Sequence, residues 1–183
     1  MEKVCTKSGW GEGSGPAVFP IREEDIPFCR EIYNYYIRET TVTFEEQELT
    51  AEQFARRVRR ISAGYPYLVA REGERVLGYA YLDLYSERSA YRFTADLSIY
   101  LDKSCRARGI GRLLWAAVEK EAESRGFRQV ISLVTGENAG SRAFHERCGF
   151  VHRGRLEAVG CKFGRWLDVD FYQKTVGEPG GEA

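Results

Sequence analysis

The chain has 183 residues, and its 27 basic and 27 acidic side chains give a formal net charge of zero, which argues against a strongly basic nucleic-acid surface and against a polybasic membrane anchor. No apolar run is long enough to span a membrane, and the first residues lack the basic and apolar regions of a signal peptide. We therefore expect one cytoplasmic domain with neither a nucleic-acid nor a membrane partner.

The predicted elements alternate between helices and strands within a single domain. Glycine-rich and polar segments at residues 1–17 and 177–183 are expected to be flexible. Between them, periodicity, caps and turn residues predict strand 18–22, helices 23–38 and 51–61, strands 67–71, 75–83 and 91–101, helix 109–124, strand 129–135, helix 139–147 and strands 150–158 and 166–174. This order, β α α β β β α β α β β, predicts a mixed α/β sheet over residues 18–176.

Cysteine and histidine are too few and too scattered to predict a metal centre. The five cysteines contain no Cys-x-x-Cys pair, and His145 and His152 are the two histidines. An odd, dispersed set of cysteines is typical of reduced thiols in the cytoplasm, not of a disulfide framework or a zinc site. We therefore expect a protein without a bound metal.

A loop of arginine and glycine leads from strand 91–101 into helix 109–124. It reads Arg106-Ala107-Arg108-Gly109-Ile110-Gly111-Arg112. Glycine lets amide groups converge on an anion, the helix start adds N–H groups without acceptors, and arginine supplies bidentate donors to phosphate. The loop alone is weak evidence, and it matches neither the P-loop nor the three-glycine dinucleotide pattern. Its place between a strand and an amphipathic helix favours a phosphate site.

This Arg-x-x-Gly-x-Gly pattern resembles the acetyl-CoA pyrophosphate loop of the GNAT superfamily of N-acetyltransferases. Three further phrases, EIYNYY at 31–36, RSAY at 88–91 and GCKFGRWLDV at 160–169, resemble the phosphinothricin and methionine-sulfoximine N-acetyltransferases. The similarity extends over residues 20–174. It implies a mixed, mostly antiparallel sheet flanked by helices, acetyl-CoA as cosubstrate, a small amino-acid-like amine as acceptor, and a homodimer.

The same resemblance implies a set of cofactor contacts. The main chain at Ile99, Tyr100 and Leu101 would pair with the pantetheine arm like an added strand and offer an N–H group to the oxyanion. The pyrophosphate would lie against Arg106, Ala107, Arg108, Gly109, Ile110, Gly111 and Arg112. Asn138 matches an asparagine that contacts the cofactor in the family, and it is also a good helix N-cap.

Two residues are candidates for proton transfer. An amine is mostly charged at pH 7, so a base must remove a proton, and Asp96 stands where the family usually has glutamate. Its side chain is one methylene shorter, so a water could bridge the gap; alternatively Asp96 pairs with an arginine such as Arg92. His145 stands where many GNAT enzymes have a tyrosine acid, and it would protonate the leaving thiolate or simply shape the cofactor pocket.

The acceptor site is inferred from cations and aromatic residues that suit a carboxylate and a phosphinate or sulfoximine oxygen. The residues that the resemblance implies are Arg88, Tyr91, Lys162 and Trp166, with Tyr35 and Phe44 as further walls. Lys162 could instead be an ordinary surface lysine, and Trp166 could pack in the core. Two other functions stay open: acetylation of a polyamine, aminoglycoside or protein N-terminus, and acyl-CoA binding without catalysis.

Overall fold

The computed structural model describes residues 15–105 and 108–177, and within them the chain forms one seven-stranded sheet with four α-helices. Their bounds are β1 (Ala17–Pro20), α1 (Ile26–Glu39), α2 (Ala51–Ser62), β2 (Tyr67–Glu72), β3 (Arg75–Leu84), β4 (Thr94–Leu101), α3 (Ile110–Ser124), β5 (Gln129–Thr135), α4 (Ala139–Arg147), β6 (Val151–Lys162) and β7 (Arg165–Thr175). This order confirms the predicted α/β arrangement. The predictions of flexible segments before residue 15 and after residue 177 lie outside the described residues.

Among the predicted boundaries that were wrong, three have clear local reasons. Helix α1 begins at Ile26, after a 3₁₀ turn at Glu23–Asp25, and a proline occupies its first turn. Strand β4 begins at Thr94 because Ser89–Tyr91 form another 3₁₀ turn. Strand β6 continues to Lys162, beyond the predicted end at residue 158, although its register with β7 shifts twice on the way.

The sheet has the strand order β1-β2-β3-β4-β5-β7-β6 and one parallel pair, β4 with β5. Every other neighbouring pair is antiparallel. The two parallel strands pair only at residues 94–96 of β4 and 129–131 of β5. Beyond Asp96 they separate, so the middle of the sheet opens into a notch between β4 and β5.

Helices cover both faces of the sheet. On one face, α3 buries Ile110, Leu114 and Val118 against the sheet. On the other face, α1 and α2 pack over β2, β3 and β4. Because side chains alternate along a strand, β4 directs Ala95 and Leu97 towards α3 and Asp96 towards the face of α1 and α2.

The half of the sheet formed by β5, β6 and β7 presents apolar side chains to solvent. They are between 47% and 70% exposed and comprise Leu133, Val151, Leu156, Val159, Phe163 and Trp166. Strand alternation places Leu133, which pairs with Phe171, and Trp166 on opposite faces of this half of the sheet. Exposed apolar residues in such number are typical of an interaction site. No helix among the described residues is long and apolar enough to cross a membrane.

Candidate active site

Asp96 is the last residue of β4 that pairs with β5, and it lies where the two strands begin to separate. Its Oδ1 atom is buried and has no hydrogen-bond partner among the described residues. Among the described residues Asp96 does not form the alternative ion pair with Arg92, because the Arg92 guanidinium lies over the ring of Phe93, 4.3 Å from its centroid. Asp96 is therefore a buried carboxyl group without the ion pair that a purely structural role would provide.

The environment of Asp96 makes it a stronger base than an ordinary aspartate. Burial raises the pKa of Asp96 from 3.8 to about 7, and the nearby carboxylate of Asp83 contributes to the increase. A hydrogen bond from the main chain of Leu97 acts in the opposite direction on this pKa. General bases work best when their pKa lies near the operating pH, so Asp96 is suited to accept a proton at neutral pH.

Asp96 lines an open cavity of about 420 Å³. The other lining residues are Leu84, Tyr85, Ser86, Arg88, Tyr91, Leu133 and Phe171. Arg88 and Asp96 are the charged members of this set and carry opposite signs. The rings of Tyr85 and Tyr91 contact each other with centroids 5.3 Å apart. The structure thus brings together Asp96, Arg88 and Tyr91, which were named from the sequence.

Lys162 and Phe44 are placed elsewhere, in a joint between β6 and the loop after α1. The Lys162 side chain is buried, and its Nζ atom donates a hydrogen bond to the main-chain oxygen of Thr43 at 2.6 Å. Burial lowers the pKa of Lys162. Phe44 packs on Gly160 so closely that a Cβ atom at Gly160 would overlap its ring. These two residues connect parts of the fold and do not line the cavity around Asp96.

The remaining acceptor candidates are also separate from the cavity. Trp166 is 70% exposed on β7. Tyr35 lines a second cavity, of about 370 Å³, together with Leu101 and Lys103 at the far end of β4. A single chain therefore does not assemble the acceptor pocket that was expected from the sequence.

Sequence reasoning missed the apolar side of the cavity, which Leu133 on β5 and Phe171 on β7 provide. These residues are direct neighbours in the β5–β7 pairing. The alternation of apolar residues along each strand could have identified the face, but not which strands lie side by side.

The free edge of β4 beyond Asp96 suits an extended ligand with amide groups. The main-chain oxygen of Phe93 accepts hydrogen bonds from the amides of Arg128 and Gln129. The main-chain N–H and C=O groups of the odd-numbered residues in this segment therefore point towards β5. By the same alternation, Ile99 and Leu101 direct their main-chain groups into the notch. The Leu101 oxygen also accepts a hydrogen bond from the Tyr36 hydroxyl at 2.8 Å.

Tyr100 does not fit the predicted cofactor contact. The main-chain groups of Ile99 and Leu101 point into the notch, so those of Tyr100 point the other way, towards β3, where Tyr100 pairs with Tyr79. Its ring lies in an aromatic cluster, 4.9 Å from the centroid of Tyr33 and 5.4 Å from that of Tyr79. Tyr100 is therefore a partly buried residue that packs against the aromatic core beneath α1 and α2.

The start of α3 has the main-chain geometry of an anion site. Gly109 has a φ of 79°, a left-handed conformation that glycine adopts without strain, and it precedes the first helical residue. Ile110 is buried, Gly111 allows Phe144 to approach the helix, and Arg112 is exposed. The first N–H groups of a helix have no acceptor within it and favour a phosphate. These features fit the diphosphate of acetyl-CoA.

One of the loop arginines, Arg108, already has an acidic partner, which the sequence did not indicate. Arg108 contacts both carboxylate oxygens of Glu72 at 3.2 and 3.3 Å. A phosphate ligand would therefore share Arg108 with an existing partner. Arg106 and Ala107, which were also assigned to this loop, lie outside the described residues.

Asn138 has the predicted role of helix cap. Its Oδ1 atom accepts a hydrogen bond from the amide of Ser141 at 3.1 Å. This contact fixes the start of α4, and the expected contact with the cofactor would have to use other atoms of the same side chain.

His145 lies on α4, and aromatic rings surround it. Its Nδ1 atom lies 2.8 Å from the main-chain oxygen of Ser141, which can only accept, so the proton is on Nδ1. Its ring contacts Phe144, Phe150 and Tyr172. The Nε2 atom is buried without a hydrogen-bond partner among the described residues, and burial lowers the pKa of His145. The ring is therefore neutral at pH 7, with its free lone pair on Nε2.

Known proteins resemble the chain over most of its length. Residues 29–150 match the model of the Acetyltransferase (GNAT) family. A phosphinothricin N-acetyltransferase of Alcaligenes faecalis is 40% identical over 158 residues, which are 85% of this chain and 80% of the relative. An L-methionine sulfoximine/L-methionine sulfone acetyltransferase of Salmonella typhimurium is 32% identical over 155 residues, which are 84% of this chain and 91% of the relative.

A solved structure supports the same grouping. It is that of a GNAT superfamily phosphinothricin acetyltransferase from Sinorhizobium meliloti in complex with acetyl-CoA. The two chains are 35% identical, and they superpose with a TM-score of 0.87 over 92% of each chain.

Proposed function

Because this chain belongs to the GNAT family of acetyltransferases, which use acetyl-CoA, we propose that it acetylates the amino group of a small amino acid or amino-acid analogue. Phosphinothricin, methionine sulfoximine and methionine sulfone are the first acceptors to test, since the relatives named for them are 31–40% identical to this chain. We expect the reaction to take place in the cytoplasm, by direct transfer between the two bound substrates.

The observation that carries the proposal is that Arg88 and Asp96 line the same cavity. An amino acid has a cationic amine and an anionic carboxylate a few ångströms apart. Asp96 offers a base to the amine, and Arg88 offers a cation to the carboxylate. Polyamines and aminoglycosides carry several cations, so the positive charge of Arg88 disfavours them.

In the proposed reaction, acetyl-CoA supplies the activated acetyl thioester, and the protein positions it and moves protons. Main-chain groups of Ile99 and Leu101 hold the pantetheine arm along β4, and an N–H group of this edge stabilises the charge on the thioester oxygen. The start of α3 and Asn138 hold the rest of the cofactor. Asp96 accepts a proton from the amine, directly or through one water molecule.

His145 takes part through Nε2, because its other ring nitrogen is engaged with Ser141. To protonate the leaving thiolate, the imidazole must first gain a second proton at Nε2. Burial opposes that charge, so the acid role is favoured only while the site holds a negative group beside the ring. A role in shaping the pocket requires no such proton.

We also propose that the protein is a homodimer that uses the apolar surface of β5, β6 and β7. Trp166, Phe163 and Leu133 are each at least half exposed there. Covering Leu133 with a second copy would remove apolar area from water and would enclose the open cavity that Leu133 lines. Light scattering of the wild type and of Trp166→Glu measures this directly: a dimer and a monomer, respectively, are the expected masses.

The acetyl-transfer proposal is tested by thiol release from acetyl-CoA against a panel of amines. The panel contains phosphinothricin, methionine sulfoximine, methionine sulfone, common amino acids, a polyamine and an aminoglycoside, with hydrolysis in the absence of acceptor as the background. We expect turnover with amino-acid-like acceptors. Turnover confined to the polyamine or aminoglycoside would overturn the acceptor assignment. Binding of acetyl-CoA without turnover would support a non-catalytic acyl-CoA-binding module.

A further inference from the structure

A second carboxylate, that of Asp83, lies directly opposite Asp96 on the neighbouring strand. Asp83 on β3 is the direct partner of Asp96 in the antiparallel pairing of β3 with β4. Directly opposed residues on one face of such a pair have Cβ atoms about 5 Å apart. Two carboxylates at this distance oppose each other's ionisation, and like charges directly opposite normally destabilise a sheet. Such a pair therefore needs a physical explanation.

Arg60 on α2 supplies the compensating charge. Its guanidinium forms a two-pronged contact with Asp83, with Nη1–Oδ1 and Nη2–Oδ2 distances of 3.1 and 2.7 Å. The Oδ1 atom of Asp83 also accepts a hydrogen bond from the amide of Leu84 at 2.8 Å. The carboxylate of Asp83 is thus held in one orientation by a cation and a main-chain amide, while the Oδ1 atom of Asp96 has no such partner among the described residues.

We propose that the Arg60–Asp83 pair is a positioning element that sets the pH range in which Asp96 accepts a proton. Asp83 does not line the cavity and would not touch the acceptor, so it acts only through Asp96. This inference rests on the proposed function, in which Asp96 is the base.

The two members of the pair act on Asp96 with opposite signs. The negative charge of Asp83 disfavours ionised Asp96 and strengthens its hold on a proton. The positive charge of Arg60 offsets part of this effect, and its two-pronged contact keeps the Asp83 carboxylate from turning towards Asp96. Burial raises the pKa of Asp96 most, and the charges of Asp83 and Arg60 then adjust the pH at which Asp96 accepts a proton.

Other charged and titratable groups around Asp96 do not provide this compensation. They come from β3, β4, the loop between these strands and α2, and they comprise Tyr81, Tyr85, Arg88, Tyr91, Tyr100 and Arg57. Burial raises the pKa of both Tyr81 and Tyr100, so these two hydroxyl groups carry no charge at pH 7. Arg88 is exposed, and Arg57 pairs with Glu45 at 2.6 Å. Asp83 is thus the anionic side chain that faces Asp96 across the pairing with β3.

A simpler role for the pair would be to fasten α2 to β3. In that case, removing it would lower stability and leave the titration of Asp96 unchanged. Arg59, the preceding residue of α2, offers a matched control because it forms a similar two-pronged contact with Glu23, at 2.9 and 2.7 Å, away from β3.

The test is a titration of the Asp96 carboxyl by carbon-13 NMR in full-length protein with labelled aspartate, the signal being assigned by its loss in Asp96→Asn. We expect Asp83→Asn to lower the midpoint by at least about half a pH unit. Arg60→Gln should raise the midpoint by a similar amount, and Arg60→Lys should move it less. Arg59→Gln should leave the midpoint unchanged. If Asp83→Asn does not fold, the opposite shift in Arg60→Gln still decides the question.

An unchanged midpoint in Asp83→Asn, or in Arg60→Gln if the first variant does not fold, would overturn the inference whatever the activity. The acidic limb of the kcat/KM profile should move with the NMR midpoint if Asp96 is the base. A shifted midpoint in protein that acetylates none of the panel amines would refute the proposed function and leave the coupling between Asp83 and Asp96 established.

Discussion

Lys162 on β6 donates a hydrogen bond from its ammonium group to the main-chain oxygen of Thr43, 2.6 Å away, and only 1% of this lysine is exposed to solvent. The contact fastens the β6–β7 hairpin to the loop that follows α1. Beside it, Phe44 packs against Gly160. Two residues that the sequence suggested for acceptor binding therefore join β6 to the loop after α1, and in this chain they do not line the cavity around Asp96.

Lys162→Met should destabilise the fold by about 2 kcal/mol, because it leaves a buried carbonyl oxygen without a donor. The free energy of unfolding, measured in urea, provides the test. Lys103→Met is the matched control, since Lys103 is an exposed lysine that lies over the Tyr35 ring. Equal stability of the two variants would show that the bond to Thr43 contributes nothing.

Asp96→Asn should stabilise the protein at pH 8 while lowering its rate. The pKa of Asp96 is raised from 3.8 to about 7, so the folded state holds the proton more tightly than the unfolded state. The contribution of Asp96 to the free energy of unfolding is then fully present below about pH 4 and is lost as pH rises towards 7, by about 4 kcal/mol in all. Urea unfolding at pH 8 and pH 4 should show a difference between variant and wild type only at pH 8. The loss in kcat should be about 10²- to 10⁴-fold.

The stability difference is the informative half of that experiment. A variant with the same stability as the wild type at both pH values would mean that Asp96 is hydrated and has an ordinary pKa. An unchanged kcat would remove Asp96 from the reaction. The two results are independent, so each can fail alone.

Arg88→Gln should raise KM for an amino-acid acceptor about 10- to 100-fold, because a charge-assisted contact to the carboxylate is lost. The same substitution should have little effect when the acceptor carboxylate is replaced by an amide. Arg92→Gln is the matched control: Arg92 lies four residues away, packs on Phe93 and does not line the cavity. Equal effects of Arg88→Gln on the two acceptors would contradict carboxylate binding.

His145 should make stability depend on pH in the opposite sense to Asp96. Burial lowers the pKa of His145 below its ordinary 6.5, so the folded state favours the neutral ring. Its contribution to stability is complete above pH 6.5 and is lost as pH falls through the lowered pKa. His145→Phe should abolish this part of the acid sensitivity in urea unfolding at pH 7.5 and pH 5. The same slope in variant and wild type would mean that the ring is charged or hydrated in the fold.

The activity of His145→Phe separates the two roles proposed for the ring. A large loss of kcat with unchanged KM for acetyl-CoA is expected if Nε2 delivers a proton to the thiolate. A change in KM for acetyl-CoA with little change in kcat is expected if the ring only shapes the pocket.

Much of the local structure could be predicted because its signals lie in consecutive residues. The Asn138 cap forms as predicted, and a capping box of Thr50 and Gln53 begins the predicted helix α2. Gly109 adopts the left-handed conformation that opens α3. Each of these depends on hydrogen bonds and backbone conformations within one turn of chain, so the residues themselves determine them.

The order of elements and the place of Asp96 within a strand also follow from the sequence alone, because period, caps and turns identify each element, and alternation assigns each side chain to a face. Only the tertiary structure decided that Asp83 lies opposite Asp96, that Arg60 reaches Asp83 from another element, and that Lys162 is buried on Thr43. These contacts join residues 13 to 119 positions apart, and strand register, helix packing and burial settle them only when the whole chain has folded.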